Sequence, residues 1–149
     1  MKTKTFITTG ISVLFGVLLV KISPAIAGRF TDQVSYQLLQ AAIAFGIGNY
    51  ELTHEPTVDV LGNEEVQYIN LNLRRGTQYG IVSVCDEDCR DIDLSIYDSN
   101  GNLIDSDIEY DDHPMVSVNP NWSGRFRVKV KMTNCPTGAC YYGVGVFGR

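Results

Sequence analysis

Residues 91–101 read Asp-Ile-Asp-Leu-Ser-Ile-Tyr-Asp-Ser-Asn-Gly, and this stretch decides the fold class. Ile92, Leu94 and Ile96 alternate with more polar side chains, which is the period of a β-strand that buries one face. The following residues, 98–101, are all common in turns, so the chain is expected to reverse direction there. The stretch therefore predicts one strand of an antiparallel sheet and the tight turn after it.

Similar runs recur on both sides of this stretch. Period-two or apolar segments occur at 68–73, 79–84, 103 onward, 115–118, 125–132 and 141–147. Gly, Asn, Pro and Asp separate them every eight to twelve residues or so, a spacing typical of antiparallel sandwiches. The sequence predicts a mostly β domain over residues 49–149, an antiparallel β-sandwich or jelly roll.

The first 27 residues have the features of a bacterial-type signal peptide. Lys2 and Lys4 precede an apolar run, and Ala25-Ile26-Ala27 offers the small side chains at which signal peptidase cleaves. The run is shorter than the roughly 20 residues that a membrane span needs. We therefore expect residues 1–27 to be a signal peptide, the protein to be secreted or periplasmic, and no stable membrane span to remain after cleavage.

An amphipathic helix is expected in the segment 28–48, before the β domain. Thr31 and Asp32 can cap a helix that runs to about Phe45, and Gly46 and Gly48 can end it. Its apolar stripe comprises Val34, Leu38, Ala42 and Phe45. We expect this stripe to pack on the sheet, and the alternative is a helix that binds a partner or lies on a membrane.

Charge and cysteine content narrow the class of protein. Without Lys2, Lys4 and Lys21 the chain keeps nine basic and 17 acidic residues, a net charge of −8. That sign argues against nucleic acid and anionic lipid surfaces as partners. Four cysteines in an exported chain predict disulfides, and we favour the local pairs Cys85–Cys89 and Cys135–Cys140 over cross-loop pairs. Zinc or redox-active alternatives would need a Cys-x2-Cys spacing that this chain lacks.

Acidic residues concentrate in one part of the chain. Eleven of the 17 fall within residues 86–112, together with a single basic residue, Arg90. Because direction reverses at each turn of an antiparallel sheet, the segments 85–90, 105–112 and 135–140 are expected at one end of the domain. We term these three segments the acidic pole.

The acidic pole is a candidate calcium site, since crowded carboxylates repel unless a cation offsets them and Ca²⁺ prefers such hard oxygen ligands. The candidate ligands are Asp86, Asp88, Asp91, Asp93, Asp105 and Asp107. The alternative is an edge strand whose outward charges prevent edge-to-edge association, with Ile108 and Tyr110 facing in.

One strand is basic on its polar side. Arg125, Arg127, Lys129 and Lys131 alternate with Phe126, Val128, Val130 and Met132. We expect this face to be solvated or to pair with acids on neighbouring strands, and the alternative is an anion-binding ridge.

Residues 75–79, residues 91–98 with Gly101, and residues 123–130 together resemble the bacterial pre-peptidase C-terminal domain, a jelly-roll-like β-sandwich. The resemblance covers roughly residues 56–147, and Phe126 stands where the family usually has tyrosine. Such domains are commonly appended to secreted proteases, and related collagen-binding modules bind calcium through acidic side chains. The resemblance implies Asp91 and Asp93 as the ligands to carry over.

No catalytic motif is visible in the sequence. Gly-x-Ser-x-Gly, His-Glu-x-x-His and phosphate-binding glycine loops are missing, and His54 and His113 lie near prolines in expected loops. We expect a non-enzymatic secreted binding module whose acidic pole holds calcium or meets a basic partner, either a protein or a polysaccharide. The alternative is a structural envelope protein that needs no ligand and self-associates through its helix.

Overall fold

The structure is a computed structural model that describes residues 24–149, with side chains from residue 28 onward. Helix α1 (Pro24–Ile47) precedes the strands β1 (Glu51–Leu52), β2 (Thr57–Gly62), β3 (Val66–Leu73), β4 (Tyr79–Cys85), β5 (Asp91–Tyr97), β6 (Leu103–Asp107), β7 (Met115–Val118), β8 (Gly124–Asn134) and β9 (Ala139–Gly148). They form two antiparallel sheets. One has the order β1-β9-β4-β7, with β2 also paired to β9, and the other has the order β3-β8-β5-β6. The predicted fold class, an antiparallel β-sandwich with one helix, is confirmed.

The core lies between the two sheets and follows from the period-two pattern. On β5, Ile92, Leu94 and Ile96 are fully buried, and on β8 the alternate residues from Phe126 to Met132 are at most 1% exposed. They pack against the inner faces of β4, β7 and β9 in one cluster. Burial of apolar surface contributes roughly 25 cal/mol per Å² to folding, so this shared inner face is the main stabilising element of the domain.

The helix covers the outer face of the sheet that contains β4 and β9. Val34 and Leu38 pack with Val82, Val84 and Phe147 in a second buried cluster, so that β4 is buried on both faces. A Cβ atom added at Gly143 of β9 would lie 2.6 Å from a Val34 carbon, which shows how closely α1 approaches the sheet. The expectation that the apolar stripe packs on the sheet is confirmed.

The bounds of α1 differ from the prediction. The helix begins at Pro24, so the predicted cap at Thr31 and Asp32 is wrong; inside the helix the Thr31 hydroxyl donates to the Gly28 carbonyl, at 2.9 Å. The helix ends at Ile47, with Gly46 still helical, and Asn49 then takes a positive φ of 60°.

The predicted signal peptide falls mostly on residues 1–23, which lie outside the described part of the chain, while its predicted cleavage site after Ala27 falls inside α1. The segment boundaries 28–48 and 49–149 stay predictions. Among residues 24–149, no helix combines the length and the apolar character that crossing a bilayer requires.

Strand β2 was missed from the sequence. It pairs with β9 along its whole length, but Val58, Asp59 and Val60 are all exposed. An edge strand with neither face fully covered lacks the alternation by which strands are detected.

Candidate functional site

The three segments of the acidic pole lie together at one end of the sandwich, as predicted. The Arg90 amide donates to the Asn134 carbonyl at 2.9 Å, and the Ile92 amide donates to the Asp111 carbonyl at 3.0 Å. The Asp86 amide donates to the Tyr141 carbonyl at 3.0 Å. These backbone bonds join the β4–β5, β6–β7 and β8–β9 connections into one surface.

Both disulfides lie within this surface. Cys85 bonds to Cys89 and Cys135 bonds to Cys140, which is the local pairing favoured from the sequence. All four cysteines are buried. Each disulfide closes a short loop, so its main effect is to restrict the conformations of the loop that carries it.

Asp86 organises the β4–β5 loop from the inside. Its side chain is 2% exposed. Its Oδ1 accepts the amides of Asp88 and Cys89 at 3.1 and 3.2 Å, and its Oδ2 accepts the Tyr141 amide at 2.7 Å. Burial raises the pKa of this carboxyl above its usual value, although the backbone donors oppose the change. Asp86 is therefore a structural residue that ties the β4–β5 loop to β9.

Asp105 and Asp107 connect the two sheets at their open edges. The Asp105 Oδ2 accepts the Ser117 amide at 2.8 Å, and the Asp107 Oδ2 accepts the Met115 amide at 2.9 Å. Strand β6 is the last strand of one sheet and β7 the last strand of the other. The two carboxylates thus take the place of backbone carbonyls along the edge of β7, and unpaired edge donors are a known route to aggregation.

Asp91 and Asp93 lie on β5 near the same end. Asp91 is 6% exposed, and its Oδ1 has no hydrogen-bond partner among the described residues. Burial, followed by the charge of Asp93, raises the pKa of Asp91. Asp93 accepts the Thr133 hydroxyl at 2.8 Å.

The six candidate calcium ligands are not assembled into one cluster. Within the part of the chain that the structure describes, no three His, Cys, Asp or Glu side chains are arranged to hold a metal ion. Asp86, Asp93, Asp105 and Asp107 instead accept hydrogen bonds from protein groups. Calcium binding stays a prediction.

Asp98 does not belong to this surface, although it falls in the acidic stretch of the sequence. It lies in the β5–β6 turn at the opposite end of β5. Its carboxylate accepts the Asn102 side chain and the amides of Asn100 and Asn102, and the bond from the Asn102 side chain is the main reason that the pKa of Asp98 is lowered.

The exposed part of the acidic pole is centred on the β6–β7 loop. Ile108 is 69% exposed and Tyr110 is 71% exposed, so the alternative in which both face in is wrong. The Tyr110 hydroxyl accepts the Asn134 side chain at 3.2 Å, which fixes the ring while leaving its faces accessible. Ile108 and Tyr110 face outward because Asp105 and Asp107 occupy the inward positions, where they accept hydrogen bonds from the amides of β7.

Charged side chains are exposed on the same loop and on the neighbouring one. Glu109 and Asp112 are exposed on the same loop, and Glu87 is exposed on the neighbouring loop, where it contacts Arg29. His113 lies 2.7 Å from Asp112, and its hydrogen bond to that carboxylate raises the pKa of the imidazole. The acidic pole therefore presents one aromatic and one aliphatic side chain together with exposed carboxylates on loops joined by backbone hydrogen bonds.

Comparisons with known proteins address the fold. No protein family and no curated protein matches the sequence. The fold is similar to that of a lysozyme inhibitor. That inhibitor is PliG from Aeromonas hydrophila, a periplasmic inhibitor of g-type lysozyme. The two structures align with a TM-score of 0.50 and 8% sequence identity, over 64% of the present chain and 85% of the PliG chain. At this identity the likeness to PliG concerns the fold, and the resemblance to the pre-peptidase C-terminal domain stays a prediction.

Proposed function

We propose that this protein is a secreted, non-enzymatic binding protein that uses the acidic pole to bind a basic protein surface. The observation that carries the proposal is the exposure of Ile108 and Tyr110 on an acidic loop that backbone hydrogen bonds hold in place. Large exposed side chains in such a setting are the usual anchors of protein interfaces, and tyrosine is enriched among them.

Rigidity supports this assignment. Two disulfides and the buried carboxylate of Asp86 fix the β4–β5 and β8–β9 loops, and the Tyr110 hydroxyl is bonded to Asn134. A surface that is already ordered loses little conformational entropy on binding, which is a large part of the cost of association. The surrounding carboxylates would select a partner of opposite charge and speed its approach.

The structural neighbour suggests a first candidate for the partner. PliG, which shares the fold, inhibits g-type lysozyme. We therefore infer that a g-type lysozyme, or another enzyme that acts on the cell wall and has a basic surface, is the partner to test first. Periplasmic or secreted localisation is part of the same proposal.

The test is a calorimetric titration of purified g-type lysozyme into the protein, expressed with its own N-terminal segment and isolated from the periplasm. We expect the wild-type protein to bind and the Tyr110→Ala variant to bind about tenfold to thirtyfold more weakly, because removing a central anchor costs about 2 kcal/mol. Tyr36→Ala is the matched control, since Tyr36 is also exposed but lies on α1. Binding should weaken as salt is added.

Equal affinities of the Tyr110→Ala and Tyr36→Ala variants, or an affinity that does not change between low and high salt, would contradict the proposed surface. If lysozyme does not bind while other basic proteins bind through Tyr110, the assignment of the partner is wrong and the binding surface is retained.

A second candidate function, self-association, is favoured by the outer side of α1. Leu39 and Ile43 are both more than half exposed, and Leu39 borders an apolar cleft of about 250 Å³ between α1 and the segment around Leu52 and Val58. Sedimentation of the Leu39→Gln/Ile43→Gln double variant tests it without removing the buried side of the helix. A wild-type dimer that becomes a monomer in this variant would favour self-association, and a wild-type monomer would exclude it.

A further inference from the structure

The outer face of the sheet β3-β8-β5-β6 carries cations that have no acid directly across from them. On the paired strands, Arg125 lies opposite Asn72, Arg127 opposite Asn70 and Tyr97, and Lys129 opposite Tyr68 and Ser95. All of these neighbours are uncharged. The acidic cross-strand partners expected from the sequence are found for Lys131, which lies opposite Asp93 and contacts Glu64 at 3.0 Å.

One of these cations is held in a defined orientation. The Arg127 guanidinium lies 4.9 Å from the centroid of the Tyr68 ring. A cation–π contact of this kind restrains the guanidinium while its N–H groups remain free to bind an anion. Tyr68 is itself about half exposed and Arg127 is exposed, so the pair is accessible on the outer face of the sheet.

A groove of about 310 Å³ borders the arginines. It lies between β8 and the β5–β6 turn, and its lining includes Asn70, Ser99, Asn100, Arg125 and Arg127. Asp98 is the acid in this lining, and its carboxylate is bonded to the amides and the side chain of its own turn. The groove therefore combines two guanidinium groups with side-chain amides and a hydroxyl.

We infer that this face binds a linear anionic polysaccharide. Guanidinium groups pair with carboxylate or sulfate groups in a forked geometry, while amides and hydroxyls match the hydroxyl groups of sugars. Alternate residues of a strand are roughly 7 Å apart, so a chain that lies along β8 meets Arg125, Arg127 and Lys129 in succession. A single-stranded nucleic acid fits less well, because its bases need aromatic rings to stack on, and the Tyr68 ring of this face already contacts Arg127.

The test compares three polymers by affinity electrophoresis and calorimetry: polygalacturonate, which carries carboxylates; heparin, which carries sulfates; and neutral galactan. We expect polygalacturonate or heparin to bind and galactan not to bind, and the stronger of the two anionic polymers identifies the preferred anion. The Arg125→Gln/Arg127→Gln variant should bind about tenfold more weakly, as the loss of two partly solvated ion pairs implies.

The matched control is the Arg29→Gln/Arg90→Gln variant, which removes the same charge from two exposed residues, Arg90 in the acidic pole and Arg29 on α1 beside Glu87. It should bind the anionic polymers as the wild-type protein does. Equal losses in both double variants would show a non-specific charge effect and overturn the proposal. Binding to galactan as strong as to the anionic polymers, no binding to either anionic polymer, or tighter binding to a single-stranded DNA oligonucleotide would also overturn it.

This inference is independent of the proposed protein partner. The Arg125→Gln/Arg127→Gln variant should keep its affinity for that partner, and the Tyr110→Ala variant should keep its affinity for the polysaccharide. Either proposal can therefore fail without the other.

Discussion

Replacement of Asp86 by alanine should destabilise the fold, although its buried side chain is not available to a binding partner. Two backbone donors, the amides of Asp88 and Tyr141, lose the acceptor that the carboxylate gives them, while the Cys89 amide keeps the Asp86 carbonyl at 3.1 Å. An unsatisfied buried donor costs about 1–3 kcal/mol, so two give about 2–6 kcal/mol. Because Asp88 is partly exposed, and because burial of the ionised Asp86 carboxylate is itself unfavourable, we expect about 3 kcal/mol.

The assay is urea unfolding at neutral pH with both disulfides intact. Asp86→Asn should cost less than Asp86→Ala because it keeps one acceptor oxygen for the β4–β5 loop, although its amide nitrogen then faces the Tyr141 amide. Asp88→Ala is the control in the same loop and should change the free energy of unfolding by less than about 0.5 kcal/mol, as most surface substitutions do. A value for Asp86→Ala within that range would refute the assigned role of the carboxylate.

Three further outcomes follow from the described contacts. Gly143→Ala should lower the free energy of unfolding by about 1–3 kcal/mol, because its Cβ would lie 2.6 Å from a Val34 carbon. Gly46→Ala, whose Cβ would have no atom within 4 Å, should raise it by about 0.5–1 kcal/mol, because alanine favours the helix more than glycine does. Chemical denaturation measures both. The folded-state pKa of Asp91 is raised, so its contribution to stability is present below the unfolded pKa of about 4 and is lost as pH rises through the folded value. Because asparagine does not titrate, the melting temperature of Asp91→Asn should rise relative to that of the wild-type protein as pH increases. A difference in melting temperature that stays constant with pH would contradict this. Asp105→Ala/Asp107→Ala should leave two amides of β7 unpaired and promote aggregation, measured by light scattering, while Ser106→Ala between them should not.

Two patterns made strands predictable: a period-two alternation where one face lies in the core, as on β5 and β8, and a short apolar run where both faces are buried, as on β4. β5 and β8 show this alternation because each lies inside a sheet that is covered on a single side. The reversal of direction at each turn also predicts that the loops of the acidic pole lie together. The local disulfides followed from the short spacing of each cysteine pair.

The features that could not be predicted depend on contacts between distant segments. Asp105 and Asp107 face inward because β7, in the other sheet, offers them amides, and no local pattern encodes that. The exposure of Ile108 and Tyr110 is a consequence of the same register. Asp98 belonged to the acidic stretch by sequence, but its place in the turn puts it at the far end of β5.

The acids of the β4–β5 and β6–β7 loops and the arginines at the start of β8 lie near opposite ends of a long strand. β8 has 11 residues, which corresponds to about 35 Å at roughly 3.3 Å per residue. At physiological salt the Debye length is about 8 Å, so neither end weakens the field of the other. This separation gives the molecule a dipole moment along the strands, and at low salt its field extends farther into the solvent. A negatively charged matrix would then turn the arginines toward itself and leave Tyr110 pointing into the surrounding fluid.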